Sequence, residues 1–356
     1  MTLSLVLKVT VPAAFFGYAI VANLALLTKP DTPMPVIDGL FDGRITHDID
    51  TLYRDNLPHK QPAVGLIGAA RYILLDEGRP GVVVGRKGTL FTAEEFRAAD
   101  AATYDKALGV ILAAAGELQQ QGVELVVAPL PAKIDLLRAQ GHDTGESQRL
   151  ALFYNAFLRD LGDLGIQAID TRPALLPLAQ PFLMTDTHWS PEGAAAVAQL
   201  IADSGTLAAG EDVFTTQSDP VAIFAGDLVT YVTSDALAPR IGLRPEQVTP
   251  YRAVAQIVDG GTLDIFGGGT GSSGTVDLVG TSYSANPNWS FAEALKLALH
   301  RDVINYAEEG KGPFAPMQTY LSARDPLNGA AQVIWEIPVR YLTDPDILQA
   351  KSKDQV

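Results

Sequence analysis

The sequence predicts an α/β layered fold with a mostly parallel sheet, and three observations carry that prediction. Short apolar runs rich in β-branched residues alternate with Ala- and Leu-rich stretches of helical spacing over almost the whole chain after residue 35. Glycine and proline close these runs, as Gly122 does for one helical stretch and Pro129 and Pro131 do for one apolar strand. One helix start is spelled out in full: Ser190 as cap, Pro191 at the first helical position and Glu192 against the positive end of the helix dipole.

Taken in order, Val82–Val84 is a short β-branched run, and residues 85–88 (GRKG) make a turn before residues 89–92. Residues 93–121 carry helical spacing, residues 123–130 (VELVVAPL) read as a buried strand, residues 147–164 as a helix and residues 166–170 as another strand. The helix capped by Ser190 runs to about Asp203. The alternation lapses over residues 204–274, which read as an insertion placed to cover or line a site. It resumes with a strand at 275–279, a helix at 290–299, a strand at 303–306 and a last strand at 332–338 (QVIWEIP). Ligands of open parallel sheets sit at the carboxyl ends of strands, so the loops after Asp170 and after Val279 are where chemistry is to be sought.

The N-terminus differs from the rest. Residues 9–27 carry no charge and stand between Lys8 and Lys29, long enough to cross a bilayer core of about 30 Å. The run ends in leucines without a small-x-small cleavage site, so residues 1–28 are expected to remain as a signal anchor or transmembrane helix. Lys8 on the short side favours a body outside the cytoplasm. A Pro-rich linker (29–35) leads to the main domain, residues 36–342, and a tail (343–356) follows.

With 26 basic against 41 acidic side chains the net charge is −15, which repels phosphate backbones and makes nucleic acid an unsuitable partner. No cysteine is present, so there is no disulfide framework, thiolate metal site or cysteine nucleophile. The five histidines (47, 59, 142, 188, 300) lack the spacing that puts two ligands on one helix face, and no metal site is expected. The run 269–274 matches GxGxxG but precedes a strand where a dinucleotide site needs a helix, so no cofactor is expected.

Two loops carry the candidate chemistry. In Asp186-Thr187-His188-Trp189-Ser190-Pro191 an extended backbone would project Asp186 and His188 to one side, letting the carboxylate orient one ring nitrogen while the other acts as a base. Gly280-Thr281-Ser282-Tyr283-Ser284 follows an apolar strand and precedes a helix, offering a hydroxyl and turn amides at one place, with Gly280 permitting close backbone approach. Read alone, the first loop fits a structural ion pair equally well, and the second fits a turn serine. Trp189, Trp289 and Trp335 are candidates for stacking on sugar rings, and Asn286 or Asn288 for oxyanion donors.

The Asp186-Thr187-His188-Trp189 motif, followed about ninety residues later by Gly280-Thr281-Ser282, resembles the alginate O-acetyltransferase family. Residues 84–91 (VGRKGTLF), 284–289 (SANPNW) and 335–338 (WEIP) extend the resemblance over most of the chain after the linker. It implies a circularly permuted SGNH-hydrolase-like fold, a three-layer α/β/α sandwich. It also implies Ser282 as nucleophile, His188 as base and Asp186 as its orienting partner, with Ser284 the rival serine. The chain ends at Val356, without the C-terminal carbohydrate-binding module of one branch, so the shorter, membrane-anchored J-type branch is the nearer likeness. The expected partners are an alginate-like exopolysaccharide acceptor and a membrane-bound O-acyltransferase as acetyl donor. The expected place is the periplasm, anchored to the inner membrane. Two alternatives share these features: a polysaccharide acetylesterase, in which water replaces the sugar, and a non-catalytic polysaccharide-binding subunit of a secretion complex.

Overall fold

The computed structural model describes residues 3–28, 43–256, 274–324 and 329–346. The linker 29–35, the glycine-rich run 257–273 and the tail from 347 onward lie outside the described residues.

The apolar N-terminal run forms helix α1 (Leu3–Thr28). Among the described residues no helix is long and apolar enough to cross a membrane. Helices α2 (Arg44–Asn56) and α3 (Lys60–Leu75) follow. Strands β1 (Val82–Val84) and β2 (Leu90–Thr92) then pair antiparallel across the predicted GRKG turn, apart from the main sheet. The single helix expected over 93–121 is divided. A 3-10 turn at Ala93–Phe96 precedes α4 (Ala101–Gln120), which is capped by Asp100 accepting from the Thr103 amide at 3.0 Å. Tertiary demand overrides helical spacing here, because the buried Glu95 carboxylate must accept from the Lys133 and Ile134 amides at 2.8 and 3.1 Å.

Next come β3 (Glu124–Leu130), the short α5 (Lys133–Leu136) and α6 (Thr144–Asp163), whose start lies ahead of the expected 147 because Asp143 caps it. Strand β4 (Gln167–Ala168) is shorter than the expected 166–170, since Asp170 turns away to accept from the Arg172 amide that opens α7 (Arg172–Leu175). Helix α8 (Pro191–Asp203) has the boundaries and the Ser190 cap read from the sequence, the hydroxyl accepting from the Gly193 amide at 3.0 Å.

The segment expected to be an irregular insertion holds two antiparallel ribbons. Strand β5 (Phe214–Ser218) pairs with β8 (Tyr251–Ala255), and β6 (Ala222–Phe224) with β7 (Glu246–Val248). The regular fold resumes with β9 (Val276–Val279), the single-turn α9 (Ser282–Ala285), α10 (Phe291–Leu299), β10 (Val303–Asn305), α11 (Phe314–Ala323) and β11 (Gln332–Pro338).

Five strands form one all-parallel sheet in the order β10-β9-β11-β3-β4. Its faces are set by the period-2 alternation of strand residues. Val126, Ala128, Leu278 and Ile334 pack toward α8 and α10, while Leu125, Val127, Val333 and Trp335 pack toward α4, α6 and α11. The result is the expected three-layer α/β/α sandwich. Parallel pairing points all the carboxyl ends one way, so the segments after β3, β9 and β11 emerge at one edge.

Candidate active site

The acid and histidine sit on a small loop closed at its base. Phe182 and Trp189 form an isolated antiparallel bridge, and the Leu183 amide donates to the His188 carbonyl at 3.0 Å. The expectation of an extended Asp-x-His is corrected, because residues 184–188 are bends. Asp186 Oδ1 accepts both the His188 amide at 2.9 Å and His188 Nδ1 at 2.6 Å. This turn, with the carboxylate bonded to the amide two residues on, fixes the imidazole more tightly than side-by-side projection would.

Ser282 opens α9 directly after β9, and its Oγ lies 2.7 Å from His188 Nε2. The two loops, about ninety residues apart in sequence, are fastened by Tyr283, the residue after the serine. Its hydroxyl donates to the Thr187 carbonyl at 2.8 Å, and its own carbonyl accepts from Trp189 Nε1 at 3.0 Å. Arg340, after β11, donates from Nη1 to the Tyr283 hydroxyl at 2.6 Å and from Nε to Glu94 at 3.0 Å. The imidazole is held between aromatic rings, stacked on Trp289 with centroids 5.1 Å apart and tilted against Tyr283 at 4.9 Å.

Below the serine, the buried Glu336 carboxylate of β11 accepts from the Thr281 amide at 2.8 Å, from the Thr281 hydroxyl and from Ser284 Oγ at 3.0 Å. Ser284 therefore faces the sheet, not the imidazole. A Cβ on Gly280 would lie 2.5 Å from Glu336 Oε2, so the glycine is required by this close approach. Asn286 accepts from the Asn288 amide at 2.9 Å, capping a short 3-10 turn. The sugar-stacking expectation for the tryptophans is corrected: Trp189, Trp289 and Trp335 are all buried. Trp189 and Trp335 donate to the Tyr283 and Pro313 carbonyls, and Trp289 backs His188 and touches Phe224, leaving no face for a ligand.

Two residues of this site carry no sequence signal. Asp227, in the insertion, donates its amide to Asp186 Oδ2 at 3.0 Å and accepts from the Thr187 amide at 2.8 Å. Gly226 lets it in, since a Cβ there would meet the Thr185 carbonyl oxygen at 2.2 Å. Lys133, after β3, is buried with its ammonium donating to the carbonyls of Leu90, Met184 and Asp186 at 2.6, 3.0 and 2.9 Å.

Electrostatics follow from burial and these partners. Burial opposes ionisation of Asp186, but the hydrogen bonds and charge of His188, with the Asp227 amide, outweigh it and hold the carboxyl below its usual range. Asp227 moves upward, through burial first and then the Asp186 charge. Burial depresses the Lys133 ammonium to about 8, against the pull of Glu95, Glu246, Asp186 and Asp227. Oxygens of Asp186 and Asp227 and a ring nitrogen of His188 lie within 4.8 Å of one another. Both nitrogens of that ring are engaged in hydrogen bonds, with Asp186 and Ser282.

A parallel sheet between helical layers, with a Ser–His–Asp chain on loops at its carboxyl edge, defines an SGNH-hydrolase-like α/β domain. The family model described as SGNH hydrolase-like domain, acetyltransferase AlgX, matches residues 82–339, and the chain belongs to that family. A protein of Pseudomonas syringae pv. tomato described as probable alginate O-acetylase AlgJ is 39% identical over 318 residues, covering 85% of this chain and 80% of that one. One from Pseudomonas aeruginosa with the same description is 36% identical over 349 residues, covering 93% and 88%. Among solved structures, the O-acetyltransferase domain of Pseudomonas putida AlgJ is 32% identical and matches with a TM-score of 0.62 over 76% of this chain and 98% of that one. Pseudomonas aeruginosa AlgX, at 23% identity and a TM-score of 0.57 over 75% of this chain and 64% of that one, shares the fold.

Proposed function

We propose that the protein is an O-acetyltransferase that places acetyl groups on hydroxyls of alginate, with Ser282, His188 and Asp186 as its catalytic residues. The observation that carries the reading is the unbroken chain from Asp186 through His188 to Ser282 Oγ, at 2.6 and 2.7 Å. The substrate reading draws on the AlgJ relatives, described as alginate O-acetylases.

In the first step Ser282 Oγ attacks the acetyl carbonyl as its proton passes to His188 Nε2. The Ser282 amide, first in α9 and without an intrahelical acceptor, is placed to donate to the oxyanion. Collapse expels the donor's leaving group, which takes the proton from His188 and leaves acetyl-Ser282. A sugar hydroxyl, deprotonated by the same nitrogen, then attacks the ester carbonyl and restores the serine. Asp186 stabilises the imidazolium in both steps.

A cleft of about 640 Å³ begins at Ser284 and Asn286, within one turn of the serine, and is lined by Tyr251, Arg252 and Lys296. Its two cations are each paired with acids that also line it, Arg252 with Asp219 and Lys296 with Glu293 and Asp302. The donor is a membrane-bound O-acyltransferase, and the protein works in the periplasm, held to the inner membrane by residues 9–27. Support for the anchor is the sequence of that run, uncharged between Lys8 and Lys29. A reporter enzyme that works only outside the cytoplasm, fused after residue 35, should be active; an inactive but expressed fusion would overturn the location.

The test of the chemistry uses a surrogate acetyl ester. Mass spectrometry should find acetyl on Ser282, and Ser282→Ala should lose turnover by at least about 10³-fold. An adduct elsewhere, or full activity in that variant, would sink the reading. With polymer and water competing, the yield of acetylated polymer separates the transferase from an acetylesterase.

A further inference from the structure

Helix α3 is packed with its faces reversed. Its small residues meet the body of the protein: Gly65, Gly68 and Ala69 are buried, and a Cβ on Gly68 would lie 1.9 Å from the Val232 carbonyl oxygen. Thr233 Oγ donates to the Gly65 carbonyl at 2.8 Å, which locks the rotation of the helix. The large aliphatic side chains are left outside, with Leu66 64%, Ile67 63%, Ile73 61% and Leu74 77% exposed. Spacing of three, four and seven residues gathers these four, with Ala63 and Ala70, on one stripe of the helix. Water is a poor solvent for such a stripe, and the glycine contacts prevent the helix from turning it inward.

We infer that this stripe of α3 lies in the interface of a lipid bilayer, so that the catalytic domain rests on the membrane surface. Two observations choose the bilayer as occupant. The start of α3 stands beside α1: the Tyr18 ring meets His59, just before α3, with centroids 5.3 Å apart, and the Tyr53 hydroxyl, on α2, donates to Asn23. Helix α1 itself exposes Phe15, Phe16, Ile20, Val21 and Leu24, so both helices carry large apolar side chains that the body of the protein leaves uncovered. Charge fits as well. Lys60 and Arg71 share the helix row of Ile67 and Leu74, and place ammonium and guanidinium at the border of the stripe, where lipid phosphates lie. Each is also paired at the surface, with Asp55 at 3.3 Å and Glu77 at 3.0 Å. The inference deepens the proposed membrane location and rests on it.

The chain has no cysteine, so single thiols can be placed and labelled without ambiguity. The full chain carrying Leu66→Cys, Ile73→Cys, Ile20→Cys or Leu152→Cys is labelled with an environment-sensitive fluorophore and reconstituted into phosphatidylcholine vesicles containing nitroxide-bearing lipid. Leu152, on α6, is as exposed as Leu66 and serves as the reference. Labels at 66 and 73 are expected to shift to the blue and lose emission to the nitroxide lipid, while the label at 152 does neither. Emission at 66 and 73 indistinguishable from 152 overturns the inference, and so does a blue shift without lipid quenching, which would mean a second copy or another protein covers the stripe. The label at 20 reports the anchor separately. Quenching at 20 without quenching at 66 and 73 leaves the anchor and removes this inference, and the converse keeps α3 at the membrane without the anchor.

Discussion

Asp227 is joined by hydrogen bonds to His188 and Ser282 only through Asp186 and Thr187. Its carboxylate satisfies the Thr187 amide, and its own amide holds the second oxygen of Asp186, so it fixes the loop that aims the imidazole. Replacing it by alanine leaves a buried amide unpaired, at about 1–3 kcal/mol. Asp227→Ala should lower kcat on an acetyl ester about tenfold with little change in KM, since alignment in the transition state suffers more than binding; a loss confined to KM would contradict this role. Lys133 makes a prediction about pH. Its folded value is about 8, whereas the unfolded chain holds the proton to about 10.4. Between these values the unfolded state binds more protons, so this group makes stability rise with pH, and burying the charge costs about 3 kcal/mol below pH 8. Urea denaturation from pH 7.5 to 9.5 should show the wild type gaining stability relative to Lys133→Met. Parallel curves would mean the ammonium is not the titrating group. Asp186, His188 and Ser282 were legible because each stands in a short motif at an element boundary. Asp227 and Lys133 were not, because a lone acid in an irregular segment and a lysine after a strand look like solvated surface until the tertiary neighbours are known.

At the scale of elements, the site depends on how β9 and α8 end and begin. The Ser282 loop leaves β9 through Gly280, whose missing Cβ makes room for Glu336. Gly280→Ala forces a clash with a buried carboxylate that already accepts three hydrogen bonds, so a loss of about 1–3 kcal/mol is expected, with a drop in acetyl-ester turnover. Thermal unfolding and turnover of the same variant check both, and an unchanged melting temperature would show the loop can give way. Helix α8 was readable to the residue, because a serine cap, a first-turn proline and a glutamate are local chemistry. The stretch 93–121 was not. Helical spacing continues across 97–100, but Glu95 is called to the amides after β3, and that need breaks the helix before Asp100.

For the whole molecule, a net charge of −15 faces an acceptor that is itself a polyanion under the proposed function. Repulsion at long range slows encounter and is screened as the Debye length falls from about 30 Å at 0.01 M salt to about 8 Å at 0.15 M. The apparent KM for alginate should therefore fall over that range while turnover of a neutral acetyl ester stays constant. A KM that rises with salt would show that local attraction outweighs the net charge and would overturn this expectation.

By itself the sequence determined the class of fold, the segments that become the five strands of the main sheet, and the two loops that hold the acid, the imidazole and the hydroxyl. Those properties follow from side-chain period, caps and turn residues, all of which act over a few positions. Only the tertiary structure decided what joins the loops: the Tyr283 hydroxyl on the Thr187 carbonyl, Asp227 behind Asp186, Lys133 beneath both, and three tryptophans turned into the core. These are contacts between segments distant in the chain. Which side chain ends buried beside which backbone group is set by the packing of whole layers, and no local pattern records it.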